Sequence, residues 1–197
     1  MEDALEQLSG LVRKESRCTR CSETAARRLR AVPGGGHAHA AVMIVSLAPS
    51  ESDEAGDGEA SAGLVDELAE FMPALKSGRE RVYVTTLLKC VPRGEAGVRP
   101  PAPDEMENCF DYLSREISIT TPHYILAVGE ETTRFVLAKL FRDLPHASGD
   151  ALELRVFDNP AFKVVPVATP GELRARDAKE QKRYGERLRQ LAQLMGI

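Results

Sequence analysis

The residues with the greatest chemical reach in this sequence are four cysteines. Cys18-Thr19-Arg20-Cys21 is a pair spaced by two residues, and Cys90 and Cys109 stand farther along the chain. A close pair with two distant partners can supply four thiolates to a tetrahedral zinc ion or to an iron–sulfur cluster. The competing reading makes Cys90 and Cys109 small core residues, since free cysteine packs as a hydrophobe. Structural disulfides are disfavoured: Met1-Glu2-Asp3 is acidic with no apolar secretory core behind it, and reducing compartments do not sustain such bonds.

The other candidates are charged. Glu51, Asp53 and Glu54 begin a stretch to Glu59 without a basic residue, and Glu51 or Asp53 could supply a carboxylate to a site. The plainer reading is a solvated acidic loop. One basic cluster surrounds the cysteine pair: Arg13, Lys14, Arg17, Arg20, Arg27, Arg28 and Arg30. A second runs from Arg174 and Arg176 through Lys179, Lys182, Arg183, Arg187 and Arg189, with acids interspersed. Either could meet phosphates, and either could be a wetted surface; no aromatic residue interleaves them to stack on bases. His37 and His39 read as loop residues, and His123 and His146 adjoin prolines at turns.

The elements that must position these groups alternate. Leu5, Leu8, Leu11 and Val12 predict an amphipathic helix over 4–16, leading into Cys18. After the connector Pro33-Gly34-Gly35-Gly36, short apolar runs at Ala41–Val45, Arg81–Leu88, Tyr124–Val128 and Phe162–Val167 read as buried strands. Helices are predicted from Leu64 to Leu75, from Pro103 through Leu113, over Glu130–Phe141, and over Asp177–Met195. Residues 151–157 could add a hairpin partner to the last strand. The expectation is an α/β fold: a single three-layer domain over residues 1–197 with a central, mostly parallel four-stranded sheet flanked by helices. Ligands of such sheets bind outside the carboxyl ends of the strands. That points to the loops Ser46–Glu59, Lys89–Pro103, Gly129-Glu130 and Thr169–Arg176.

Composition sets the outer limits. The chain has 197 residues, one domain's worth, and 43% of them are hydrophobic, enough for a sizeable core. Its net charge of −4 excludes a generally basic coat, so any polyanion must be met locally. No apolar run approaches the roughly 20 residues of a membrane span, and a cytoplasmic protein is expected.

The cysteines and their surroundings together resemble the uracil-DNA glycosylase superfamily, in particular the type-4 enzymes, whose four cysteines bind a 4Fe–4S cluster. The resemblance covers nearly the whole chain. The family's Gly-Glu-Ala-Pro-Gly-like motif corresponds to Ser46-Leu47-Ala48-Pro49-Ser50, and its Thr-Asn-x-x-Lys-Cys to Thr85-Thr86-Leu87-Leu88-Lys89-Cys90. Arg99-Pro100 through Glu105 to Cys109, Pro122 through Gly129, and Thr169-Pro170-Gly171 follow in the family's order. The resemblance implies a cluster on Cys18, Cys21, Cys90 and Cys109, with an N-terminal iron–sulfur-binding segment at about 1–30 and zinc as the alternative metal. It also implies contact with DNA and the base through Ser46, Pro49, Ser50, Lys89, Thr169, Pro170 and Arg174.

The same resemblance exposes departures. The family's catalytic Glu falls at Leu47, its Asn at Thr86 and its His at Thr169; Ala60-Ser61-Ala62-Gly63 offers no stacking aromatic. Removing one transition-state donor costs about 10²–10³ in rate, so weak or absent uracil excision is expected. The alternatives are a DNA glycosylase acting on a different damaged base, or a non-catalytic module that binds DNA or a repair-protein partner.

Overall fold

A computed structural model describes residues 3–56, 62–142 and 152–197. The expected positions at Glu59, Ala60, Ser61 and His146 lie outside the described residues. Helix α1 (Ala4–Ser16) and the short α2 (Ser22–Arg27) flank Cys18 and Cys21. The chain continues through β1 (Gly35–Gly36), β2 (Val42–Ser46), α3 (Glu51–Ala55), α4 (Ala62–Leu68), α5 (Ala74–Ser77) and β3 (Val82–Thr86). A two-residue hairpin, β4 (Arg93–Gly94) with β5 (Gly97–Val98), precedes α6 (Pro103–Thr120). Then come β6 (Tyr124–Val128), α7 (Glu130–Leu140), β7 (Phe157–Asp158), β8 (Lys163–Val167), α8 (Pro170–Ala175) and α9 (Ala178–Met195).

The sheet has six strands in the order β1-β3-β2-β6-β8-β7. Its inner four, β3-β2-β6-β8, are the expected parallel strands. The other two are short antiparallel edges: the glycine connector pairs with β3, and Phe157-Asp158 pairs with β8. Side chains alternate across each strand, so the sheet feeds two cores. Val42, Ile44, Val82 and Val165 face α4, α5, α8 and α9, where Leu68, Leu75, Leu173 and Leu188 are buried. Met43, Val45, Ile125 and Val164 face the other layer, with Leu113 and Ile117 of α6 and Val136 and Leu137 of α7. Two expected elements differ. The helix over Leu64–Leu75 is broken before Pro73, whose ring cannot continue a helix interior. The acidic stretch after Ser50 is not a loop at its start: Ser50 accepts from the Asp53 N–H, Asp53 accepts from the Ser50 N–H, and this capping box starts α3.

A buried ion pair crosses the second core. Lys89 is 2% exposed, and its ammonium donates to Glu116 Oε2 at 2.6 Å, to the Thr86 carbonyl at 2.9 Å, and to the Thr85 hydroxyl. Glu116, 1% exposed, also accepts from Tyr83 and Thr85. Gly34 completes the enclosure, for a Cβ there would lie 2.6 Å from Glu116 and 2.7 Å from the Tyr83 hydroxyl. Removing one member strands an uncompensated charge, which costs about 3–5 kcal/mol, whereas removing both leaves no buried charge and only neutral groups to re-pair. Urea unfolding should therefore show Lys89→Met and Glu116→Gln each strongly destabilised. The double variant Lys89→Met/Glu116→Leu should lose much less than the sum of the two.

Candidate functional site

In the inner sheet β2 leads to β3 on one side, while β6 and β8 lie on the other, so the chain diverges between β2 and β6. Such a divergence opens a crevice outside the carboxyl ends of the strands. A cavity of about 900 Å³ lies there. Ser46, Leu47 and Ala48 line it after β2, Val128 and Gly129 after β6, and Thr169 and Pro170 after β8. Gly129 makes the turn into α7 at φ 87°, and a Cβ on it would come within 3.1 Å of Thr169. Met106, Leu64 and the half-buried Phe135 add apolar wall, and Glu130, Glu131, Thr132, Arg134 and Glu172 supply polar groups.

Of the residues expected to meet DNA or base, Ser46, Thr169 and Pro170 line this crevice, as does Leu47. Pro49, Ser50, Thr86, Lys89 and Arg174 do not. Thr86 is buried and its hydroxyl donates to the Leu88 carbonyl. Lys89 is buried, and its ammonium is bound to Glu116 at 2.6 Å. Arg174 is held at the surface by Glu67 and Glu70, at 3.1 and 2.9 Å. Glu51 and Asp53 are also placed elsewhere: Glu51 pairs with Arg93 at 3.2 Å, and Asp53 caps α3. Thr169 caps α8, donating to Glu172 Oε2 at 2.8 Å and accepting from the Glu172 N–H. Sequence reasoning missed Thr132 and Phe135. Their signal was available, because residues three apart in a helix starting at Gly129 share one face.

The cysteines form a second cluster, where the loop after β3 meets α1, α2 and α6. Cys18, Cys21, Cys90 and Cys109 are each half-buried, and all four line one pocket with Glu15, Arg28, Lys89, Glu105, Asn108 and Tyr112. Among the described residues no three His, Cys, Asp or Glu side chains are grouped so as to hold a single metal ion. The donors aimed at the sulfurs are those a thiolate set requires. Arg28 Nη1 donates to Cys90 Sγ at 3.1 Å, the Lys89 N–H to Cys109 Sγ at 3.2 Å, and the Asn108 amide lies 4.0 Å from Cys21 Sγ. Burial pushes the Cys21 and Cys90 thiols up and Cys109 to about 12, so a metal entering here must displace their protons. Beside them Glu15 is buried with neither carboxylate oxygen hydrogen-bonded, and burial pushes its carboxyl up to about 7.

Comparison with known proteins decides the family. The family model of the uracil DNA glycosylase superfamily matches residues 33–192. The chain belongs to this superfamily. The match spans the whole sheet and most of α9, and it includes Cys90 and Cys109 but begins after Cys18 and Cys21. Similar curated proteins extend farther. A type-4 uracil-DNA glycosylase of Archaeoglobus fulgidus is 30% identical over 193 residues, covering 92% of this chain and 94% of its own. One from Saccharolobus solfataricus is 32% identical over 140 residues, covering 70% of this chain and 61% of its own. One from Thermotoga maritima is 26% identical over 92% of this chain and 89% of its own.

Within this superfamily member, Glu105 ties the cysteine pocket to the start of α6. Burial by itself would raise its carboxyl; hydrogen bonds from Arg99, the Ala102 N–H and Thr24 outweigh that and hold it at about 2. Arg99 binds it through both nitrogens, at 2.7 and 3.0 Å, and Thr24 of α2 binds it at 2.5 Å. A folded-state value below the unfolded one stabilises the fold above about pH 4.5, and that stability is lost as pH falls toward 2. Glu105→Gln should cost about 2 kcal/mol at pH 7. Chemical unfolding of variant and parent should converge as the pH is lowered from 4.5 to 2.

Proposed function

We propose that this chain is an iron–sulfur uracil-DNA glycosylase-like protein of DNA repair whose crevice excises uracil weakly or not at all. It forms one domain over residues 1–197, and the segment at about 1–30 joins it to the cluster. The observation that carries this reading is the state of Leu47, Thr86 and Thr169. Leu47 presents hydrocarbon to the crevice, the Thr86 hydroxyl turns inward to Leu88, and the Thr169 hydroxyl is used within its own helix cap. Uracil departs with negative charge on its carbonyl edge, and stabilising that charge takes preorganised donors aimed at it. None of these three side chains offers one.

Cys18, Cys21, Cys90 and Cys109 would hold the 4Fe–4S cluster, and their donor set fits it. A four-iron cube gives each thiolate its own iron, and the four cysteines that line this one pocket supply that number. The cluster would supply a structural tie, fastening α1 and α2 to the loop after β3 and to α6. DNA contact would fall to the basic residues that make no ion pair among the described residues, such as Arg13, Lys14 and Arg17 on one side and Lys182, Arg183 and Arg187 on the other. This contact should weaken steeply with salt.

A glycosylase assay on single- and double-stranded uracil DNA, with protein purified without oxygen and loaded with iron, tests the reading. Little or no uracil release is expected, and release at rates ordinary for the family would overturn it. Iron analysis and visible absorption test the cluster: Cys90→Ala or Cys109→Ala should lose bound iron and colour. Colourless parent protein carrying zinc would contradict the assignment.

A further inference from the structure

The donors that reach the cysteine sulfurs differ in charge. The Lys89 N–H on Cys109 and the Asn108 amide beside Cys21 are neutral. Arg28 brings a guanidinium to Cys90, with Nη1 3.1 Å from Sγ. Its other terminal nitrogen, Nη2, donates to the Ser16 carbonyl at 3.0 Å. Ser16 is the last residue of α1, where helix carbonyls have no partner inside the helix. One planar group therefore bridges the loop after β3 and the end of the helix that leads into Cys18.

No carboxylate answers this charge. The other two cations lining the cysteine pocket each have one: Arg20 pairs with Asp111 at 3.1 Å and Lys89 with Glu116 at 2.6 Å. Arg28 makes no ion pair among the described residues, and its side-chain acceptors are a carbonyl and a sulfur. The counter-charge that fits is Cys90 as a thiolate, the form in which it binds metal. The backbone at Arg28 is fixed on both sides. Its N–H donates to the Thr24 carbonyl at 2.9 Å, and the Leu29 N–H donates to the buried Glu54 at 3.1 Å. The planar fork thus reaches the sulfur from a set position, with little freedom left to lose.

A hydrogen bond from a cation to a thiolate is charge-assisted and stronger than one from a neutral donor. It orients the ligand and draws electron density from the sulfur. An iron–sulfur cube on four thiolates is an anion, and taking up an electron makes it more negative. Hydrogen bonds to the sulfurs and nearby charge set the potential of that step, and a cationic donor favours the reduced side. We propose that Arg28 is the positioning residue of the iron–sulfur site, holding Cys90 to the end of α1 and stabilising the reduced cluster. This rests on the assignment of the cluster to Cys18, Cys21, Cys90 and Cys109 under the proposed function. Lysine at position 28 would keep the charge and lose the fork, and methionine would lose both.

Full-length parent, Arg28→Lys and Arg28→Met, purified without oxygen, are compared by iron content and by dithionite titration followed with electron paramagnetic resonance. Arg28→Met should be harder to reduce. Its equilibrium constant for one-electron reduction should fall about tenfold or more, a shift of about 59 mV. Its visible absorption should also bleach about tenfold faster under an iron chelator. Arg28→Lys should recover part of the potential. A merely structural Arg28 would lower resistance to urea and leave the potential where it was. Equal potentials in the three proteins would overturn the inference while leaving the proposed function standing. If Arg28→Met holds no iron, Arg28→Lys decides: recovery of iron supports the inference, and an equally empty protein overturns it. A parent without iron would instead overturn the cluster assignment in the proposed function itself.

Discussion

The ion pair between Lys89 and Glu116 is the interaction on which the rest of the molecule depends. Lys89 immediately precedes Cys90, and its backbone N–H donates to Cys109 Sγ. Glu116 lies two turns along α6 from Cys109. The pair therefore fixes the loop after β3 against the helix carrying the next cysteine, and sets the spacing of two thiols. It also ties the cysteine pocket to the sheet, because Tyr83 and Thr85 of β3 bind the same carboxylate. A charge pair buried to this degree is costly unless every lone pair is used. Here most are, and the glycine at position 34 leaves the room.

Much of this architecture was legible in the sequence, for a physical reason. The inner strands are buried on both faces, so they appear as short continuous apolar runs, and runs alternating with helical periods specify a parallel sheet. The crevice followed from topology, since Ser46, Leu47, Thr169 and Pro170 sit at strand ends. What escaped was the fate of individual polar side chains. Lys89 reads as a residue for DNA or the base, and only the partner 27 residues away shows that its ammonium is buried in an ion pair. Glu51 and Asp53 read as free acids, yet one pairs with Arg93 and the other closes a helix cap. Glu54 in the same stretch is fully buried, bound by Arg93 and by the Leu29 N–H, a role that no local pattern announces. Charges are neutralised by whatever the fold brings near, and spacing along one chain does not encode it.

The two sites differ in how their polar groups are arranged. Around the cysteines, half-buried contacts from Arg28, the Lys89 N–H and Asn108 reach the sulfurs, and Glu105 locks α2 and Arg99 to the start of α6. At the crevice the Thr169 hydroxyl is engaged in a helix cap, and Leu47, Leu64, Met106 and Phe135 give much of the lining its hydrocarbon character. Function resides in the site and not in the fold, so membership of the superfamily leaves the chemistry of each site to be read from its own side chains.

The central claim is that three side chains, and not the scaffold, separate this protein from uracil excision. Grafting Leu47→Glu, Thr86→Asn and Thr169→His together into iron-loaded protein tests it most directly, with uracil release from single-stranded DNA compared between parent and graft. The account predicts negligible release by the parent and a gain of about 10²-fold or more in the graft, the scale of one restored transition-state donor. A parent that releases uracil as fast as the graft would contradict it.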